Sequence, residues 1–433
     1  MVLPIPQQRC STTTARANGC RTRIGGLEES AIELAIPDSG INGETTETTL
    51  RNHEGNSRTS EAVHRRVGLR DRLELFTWAW FIVTMSTGGI ALLLYETPHR
   101  FKGLTVLGDI VFILDLLLFF AFCTCITTRF LLFSNSLIAS LRHPAETFFF
   151  PAFWISIVNI LNNTQVYGVP KTGPWLVTAL RVLFWINTAC AILVAVGQCL
   201  FLFSAKTFTI QSLKPAVVMP IFPVLLSGTL ASLVSSSQPP KDALPILVAG
   251  ITCVGLGLLV FIYLYVLYIC CLIENGLPPP NTRPGMFIAV GPPSFAGLAL
   301  LGITQDFAKI FPAYTVISGI SNPDIIADIF TIVALCAAIF LWGTAFWSFA
   351  IALISVLYGT KRGMSFDLVW WAFVFPTTGL TLVTIKIGQA FRSEGILWTC
   401  SVMTIILVVA WLAVGVVHVR ALWKKQILWP KGQ

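Results

Sequence analysis

Charged residues are scarce in this chain. Only 12% of its 433 residues are Asp, Glu, Lys or Arg, and 55% are hydrophobic, whereas soluble domains contain about 25% charged residues. This shortage, with a mean hydropathy of +0.76, excludes an ordinary soluble domain. The sequence predicts an all-α integral membrane protein, with the lipid bilayer as its environment.

Patterns that mark metal sites or catalytic sites are also missing. None of the eleven cysteines shows CxxC spacing, and neither HExxH nor GxSxG occurs. Most of the cysteines fall in apolar segments, where a small polarizable side chain packs between helices. We therefore expect no metal, no cofactor, no disulfide framework, no catalytic residues and no enzymatic activity.

The net charge of +8 does not follow a nucleic-acid-binding pattern. The basic residues occur in short clusters beside apolar segments rather than along one face, so they indicate membrane topology and no nucleic-acid partner. We count fourteen Lys and Arg near the helix ends on the amino-terminal side of the membrane and six on the other side. Because the loops of membrane proteins on the cytoplasmic side carry an excess of Lys and Arg, both termini are expected in the cytoplasm.

Apolar stretches long enough to cross a bilayer follow a polar segment rich in Ser, Thr, Gly, Arg and Glu. We expect a disordered cytoplasmic tail at 1–72, a membrane domain at 73–422 and a short cytoplasmic tail at 423–433. The ten predicted spans are 75–95, 105–128, 145–163, 175–204, 214–235, 244–273, 284–304, 327–358, 367–390 and 395–420.

Helix-breaking residues recur in the odd-numbered spans. The markers are Ser86, Pro151, Pro220, Pro292 and Pro376, at intervals of 65, 69, 72 and 84 residues. One interval corresponds to one helical hairpin, so the sequence predicts five repeated hairpins. An interior proline frees a backbone carbonyl, which is costly in hydrocarbon unless protein or a water-lined cavity satisfies it. We therefore expect five kinked helices around a central pore. The even-numbered helices, which are expected to be unbroken and to lack an interior proline, should form an outer ring around them.

The residues at the expected kinks are the candidate pore lining. Phe375 is the candidate gate, because a large aromatic side chain at pore depth closes a path sterically and by dewetting. The other candidate lining residues precede the kinks or offer hydroxyl donors to a carboxylate: Met85, Thr87, Phe150, Met219, Gly291, Ser294, Thr377 and Thr378.

Charged residues within membrane helices are functional candidates by default. Lys386 and Arg283 lie near the two ends of pore helices, where a cation raises the local anion concentration; each is equally compatible with an interfacial charge that reaches the headgroups. Asp115 and Arg181 lie on even-numbered helices, so we favour an interhelical or interfacial structural role for them.

Four stretches carry a family resemblance: FTWAWFIVTMSTGGIALLL, LRHPAETFFFPAFW, RPGMFIAVGPPSFAGLALLG and WWAFVFPTTGLTLVTIKIGQAF. They resemble the tellurite-resistance/dicarboxylate transporter family, most closely its fungal malic-acid permeases, over about residues 73–425. The family also includes slow anion channels and sulfite pumps. The resemblance implies five hairpins around a quasi-fivefold pore, a homotrimer, and a pore occluded by the phenylalanine at Phe375.

The expected function is transport of malate and related C4-dicarboxylates across the plasma membrane, linked to protons. A malate dianion entering an inside-negative cell works against about 4.6 kcal/mol per 100 mV, so a protonated substrate or proton symport favours uptake. The alternative is a sulfite exporter or small-anion channel of the same fold.

Overall fold

The computed structural model describes residues 68–204, 214–310, 323–360 and 363–429. Most of the predicted tail, residues 1–67, lies outside the described residues, as do residues 430–433. Residues 69–72, which the sequence analysis assigned to the tail, lie in the helix Leu69–Glu74.

Helices dominate the described residues. The α-helices are α1 (Leu69–Glu74), α2 (Phe81–Glu96), α3 (Leu104–Leu132), α4 (Ser136–Arg142), α5 (Pro144–Thr147), α6 (Phe150–Asn163), α7 (Pro174–Ser204), α8 (Phe222–Ser235), α9 (Pro240–Asn275), α10 (Gly291–Ile310), α11 (Pro323–Thr360), α12 (Val374–Ala390) and α13 (Glu394–Trp423). Within the described ranges, nine helical segments are long and apolar enough to cross a membrane. The protein is therefore a multi-pass membrane protein.

The third predicted span differs from the others. Residues 145–163 fall in α5 and α6, separated by a turn at 148–149. At 14 residues, α6 is too short to count among the nine segments. It continues as a π-helical turn, Thr164–Gly168, and a 3₁₀ turn, Val169–Lys171.

Burial separates inner helices from outer ones. The apolar segments that contain α2, α8, α10 and α12 are 78–89% buried within the chain, against 22–28% for α3, α7, α9, α11 and α13. An outer helix that leaves apolar residues exposed is suited to contact with lipid. The shorter helix α6 packs between α2 and α8, and we count it as the fifth inner helix. The inner helices then contact each other in a closed order, from α2 to α6, α8, α10, α12 and back to α2.

Three of the four marker prolines lie where an α-helix begins and do not kink a continuous one. Short 3₁₀ helices precede four inner α-helices: Trp78–Trp80, Pro215–Ile221, Pro280–Val290 and Leu368–Phe373. Pro151, Pro292 and Pro376 then fall in the first turn of α6, α10 and α12. The first turn suits proline because its missing N–H has no intrahelical acceptor there.

In three details the structure differs from the predicted pattern of kinks. In the fifth predicted span the first-turn proline is Pro223, whereas Pro220 lies in the preceding 3₁₀ helix. In the first span α2 begins at Phe81, and Ser86 lies inside a regular helix. The alternation is not strict either, since Pro245 lies inside the outer helix α9.

Candidate functional site

Three phenylalanine rings pack together where the inner helices meet. The Phe375 ring of α12 stacks on Phe295 of α10 at a centroid distance of 4.8 Å and lies 5.9 Å from Phe222 of α8. Phe222 and Phe295 are 5.8 Å apart. All three side chains are at most 2% exposed. The cluster therefore joins three of the five inner helices through apolar contact.

Glycines make room for these rings on neighbouring helices. A Cβ atom added at Gly89 of α2 would lie 2.9 Å from Cδ2 of Phe375, and one added at Gly379 would lie 2.6 Å from Cε2 of Phe295. Both distances are too short for a real carbon contact. Phe375 thus contacts α2, α8 and α10 besides belonging to α12, which is a central position within the inner helices.

The sequence analysis missed Phe222 and Phe295. Phe222 precedes Pro223 as Phe375 precedes Pro376, so the repeated Phe-Pro pair was a readable signal for it. Met219, chosen instead, lies in the preceding 3₁₀ helix and is buried. Phe295 carries no such signal, because the proline pair in its helix begins three residues earlier.

Two further candidate lining residues lie elsewhere. Thr87 lines a groove with residues of the outer helices α3 and α13, and its hydroxyl accepts a hydrogen bond from Trp411 Nε1 at 3.3 Å. Phe150 is half-buried and packs edge-on against Trp78 at 4.8 Å. Neither side chain joins the phenylalanine cluster.

The remaining hydroxyl groups already donate to backbone carbonyls. Ser294 donates to Val290 and Thr377 to Phe373, both at 2.7 Å, while Thr378 donates to Phe375 at 2.6 Å. The Ser86 hydroxyl, on α2, donates to the Trp371 carbonyl at 2.9 Å. Their oxygens stay available as acceptors, but a carboxylate that uses one as a donor has to replace an existing hydrogen bond.

Side chains of α6 and of the π-helical turn that follows it hold the backbone of α2 along its length. Asn159, Asn163 and Tyr167 donate to the carbonyls of Met85, Gly88 and Ala91, at 2.9, 2.9 and 2.8 Å. Gly291, the remaining candidate, opens α10, where an added Cβ would lie 2.5 Å from Cζ of Phe222. The amides of α6 were not singled out from the sequence, although polar side chains in an apolar span were a visible signal.

A cavity of about 230 Å³ lies between α2, α8, α10 and α12. Its lining includes hydroxyl groups of Thr229 and Ser232 and three charged side chains. Among the charged ones, Lys386 Nζ lies 2.8 Å from Glu96 Oε2, and Asp306 accepts a hydrogen bond from Ser235 at 2.9 Å. Of the two cations predicted to attract the substrate, Lys386 lines this cavity and Arg283 does not. Lys386 is already paired with a carboxylate.

Arg283 is held by backbone carbonyls. Its Nε donates to the Pro278 carbonyl at 2.9 Å, and its Nη1 donates to the Ser355 carbonyl of α11 at 3.0 Å. The side chain is 5% exposed. Arg181, for which we favoured an interhelical role, forms an ion pair with Asp242 of α9.

Comparison with known proteins gives a family. A family model described as voltage-dependent anion channel, SLAC1, matches residues 75–419. Two proteins of Schizosaccharomyces pombe, a putative malic acid transport protein and a malic acid transport protein, are 35% and 34% identical, over 84% of this chain and 84% and 82% of theirs. A sulfite efflux pump, SSU1, of Arthroderma benhamiae is 27% identical over 72% of this chain and 82% of its own.

These names describe transporters and channels rather than enzymes. The matched range of the family model also runs from the residue after α1 to the last turns of α13, and so takes in all the inner helices and the phenylalanine cluster. The chain belongs to the SLAC1 family of voltage-dependent anion channels, which also includes the malic acid transport and sulfite efflux proteins to which it is similar.

Proposed function

We propose that the protein transports malate and related C4-dicarboxylates across the plasma membrane. The observation that carries the proposal is the identity of 34–35% with two malic acid transport proteins over at least 82% of either chain. The cavity between α2, α8, α10 and α12 offers hydroxyl groups and Lys386 to the carboxylates of a C4-dicarboxylate, and its lining also includes Glu96 and Asp306.

The proposed path runs between the inner helices, and Phe375 occludes it. The contact of Phe375 with α2, α8 and α10 supports this role, because a gate must reach the opposite wall to exclude water. We take the α5–α6 segment as a tenth crossing. The inner and outer helices then alternate along the chain as five hairpins around a quasi-fivefold pore.

We propose a homotrimer with both termini in the cytoplasm. The orientation is based on the excess of Lys and Arg on the amino-terminal side, and the trimer on the family resemblance alone. In this orientation the cavity lies on the extracellular side of Phe375. Lys386 and Arg283 are proposed to attract the anion at the outer and inner ends of the path.

We propose that transport is linked to protons. A dianion that enters against 100 mV costs about 4.6 kcal/mol, and the loss of one charge removes about half of it. Carboxylic acids titrate near pH 4, so an acidic medium supplies the monoanion. Symport of the dianion with one proton moves the same net charge as uptake of the monoanion.

The deciding experiment measures labelled malate uptake at acidic pH in yeast that lack their own malate permease. Saturable uptake that succinate inhibits is the expected result. Cells that carry an empty vector give the background uptake, and Phe184→Ala, at a fully buried residue of the outer helix α7, is the control for the gate variant Phe375→Ala. Absent malate flux in cells with normal surface expression contradicts the proposal.

A sulfite exporter or small-anion channel is the second candidate. The identity of 27% with a sulfite efflux pump over 72% of the chain favours it. The same cells, loaded with sulfite, separate the two functions. Faster sulfite efflux without malate uptake assigns the protein to this second function.

A further inference from the structure

One acidic side chain lies inside the membrane domain without a hydrogen-bond partner. Asp115, in the middle of α3, is 0% exposed, and neither carboxylate oxygen has a partner among the described residues. A buried carboxylate that lacks donors is stable only as the neutral acid, because an unpaired charge in hydrocarbon is strongly unfavourable. The structural role expected for Asp115 therefore does not explain its surroundings.

Asp115 packs directly on the backbone of an inner helix. Its Oδ2 lies 2.7 Å from the point that a Cβ atom at Gly88 would occupy, and Cβ of Asn159 lies 3.0 Å from the same point. The amide of Asn159 holds the Met85 carbonyl, and the amide of Asn163 holds the Gly88 carbonyl. Both amides therefore act on the stretch of α2 against which Asp115 packs, and each already donates one N–H to it.

We propose that Asp115 is a proton-binding site whose protonation state sets how α2 supports the gate. This inference rests on the proposed proton-linked transport. In the arrangement observed, the proton is bound to an Asp115 oxygen, and α2 keeps its hydrogen bonds from α6. Gly89, next to Gly88, lies against Phe375, so this arrangement holds the gate closed.

Release of the proton to the cytoplasmic side leaves a carboxylate that needs donors. The amide of Asn159, whose Cβ lies beside the same glycine, satisfies it by turning away from the Met85 carbonyl. That change weakens the attachment of α2 to α6 at the glycines beside Phe375, and α2 can then move away from the ring. Rebinding of a proton from the extracellular side reforms the O–H bond and restores the closed arrangement, so one proton enters in each cycle.

Other titratable groups on the neighbouring elements lie away from this contact. On α2, Glu96 is eight residues from Gly88, about 12 Å along the helix, and is paired with Lys386. Next to α6, Tyr167 lies beside Gly108, seven residues before Asp115. On α13, His418 lines a groove with Leu114 and Leu118, which flank Asp115.

The remaining charged groups belong to the two ends of α3. Asp109 pairs with Lys171 at one end, and Arg129 pairs with Glu146 near the other. The short helices α1 and α4, which contact α3, carry Arg70, Asp71, Arg72, Glu74 and Arg142. Arg129 is fourteen residues from Asp115, about 21 Å along the helix.

Infrared spectroscopy of the purified protein in vesicles tests the site itself. The wild type at neutral pH should show the C=O band of a protonated carboxyl group, and Asp115→Asn should lose it. Asp109→Asn, which removes an acid from the same helix, should keep it. Asp115→Glu retains the acid and guards against a loss caused by misfolding. Identical bands in the wild type and Asp115→Asn overturn the proposal.

Proton coupling is measured in the same vesicles with labelled malate and an internal pH dye. A proton moved with each malate raises accumulation about tenfold per pH unit of gradient. Asp115→Asn should lose this tenfold gain and malate-driven acidification, while Asp109→Asn retains both. Wild-type coupling in Asp115→Asn contradicts the role in transport. If the wild type moves no malate, the proposed function fails, and the infrared band alone decides whether Asp115 binds a proton.

Discussion

The ion pair in the cavity permits a test of whether Lys386 acts on the substrate or only on the fold. Lys386 Nζ and Glu96 Oε2 are 2.8 Å apart, and the two side chains are 18% and 15% exposed. Breaking a buried ion pair by removing one partner costs about 3–5 kcal/mol, because the other charge is left uncompensated. Since both side chains keep some contact with solvent, we expect the lower end, about 3 kcal/mol.

Lys386→Gln and Glu96→Gln should therefore each reduce the free energy of unfolding by about 3 kcal/mol. The double variant leaves neither charge, so its stability should lie within about 1 kcal/mol of the wild type. Apparent melting temperatures of the purified variants in detergent measure this. Lys171→Gln is the control, because its pair with Asp109 is 57% and 25% exposed, and such pairs contribute only about 0–1 kcal/mol.

Transport by the stable double variant then isolates the role of Lys386. A charge-assisted hydrogen bond to a carboxylate contributes about 1.5–3 kcal/mol, so loss of substrate contact should raise KM for malate at least about tenfold. Normal stability combined with normal KM in the double variant refutes a substrate role for Lys386. A double variant as unstable as the single ones refutes the ion-pair argument itself.

Three further predictions concern the gate, its packing and the pH dependence. Phe375→Ala and Phe184→Ala should both lose about 3–5 kcal/mol of stability, but only Phe375→Ala should raise anion conductance in patch-clamp recordings; equal leak in both contradicts the gate. Gly379→Ala should cost about 1–3 kcal/mol, because its Cβ meets the Phe295 ring, whereas Gly343→Ala, with open space around it, should not lower the melting temperature; equal losses contradict the packing argument. Malate uptake should fall as external pH rises from about 3.5 to 6.5, at constant potential and total malate, because a carboxyl group with a pKa near 4 loses its proton in that window; a constant flux contradicts proton linkage.

The sequence alone determined the membrane class and the approximate span limits. Each span must be apolar along its own length, so the information is local, and nine predicted segments correspond to long described helices. The third segment was less well predicted, because a turn at 148–149 divides it and because the amides of α6 are satisfied by the backbone of α2, a tertiary effect. The prolines were assigned to kinks because a sequence does not reveal where the 3₁₀ turns end.

Tertiary structure alone decided the partners at the candidate site. Glu96 and Lys386 are 290 positions apart, and Phe375 meets Phe295 and Phe222 from two other helices. The sequence of a single membrane helix gives little indication of which face meets a neighbour, because its own residues are apolar on every face. For that reason the sequence identified Phe375, Lys386 and Asp115 as individual residues, but only the packing of the helices showed the aromatic cluster, the ion pair and the unpartnered acid.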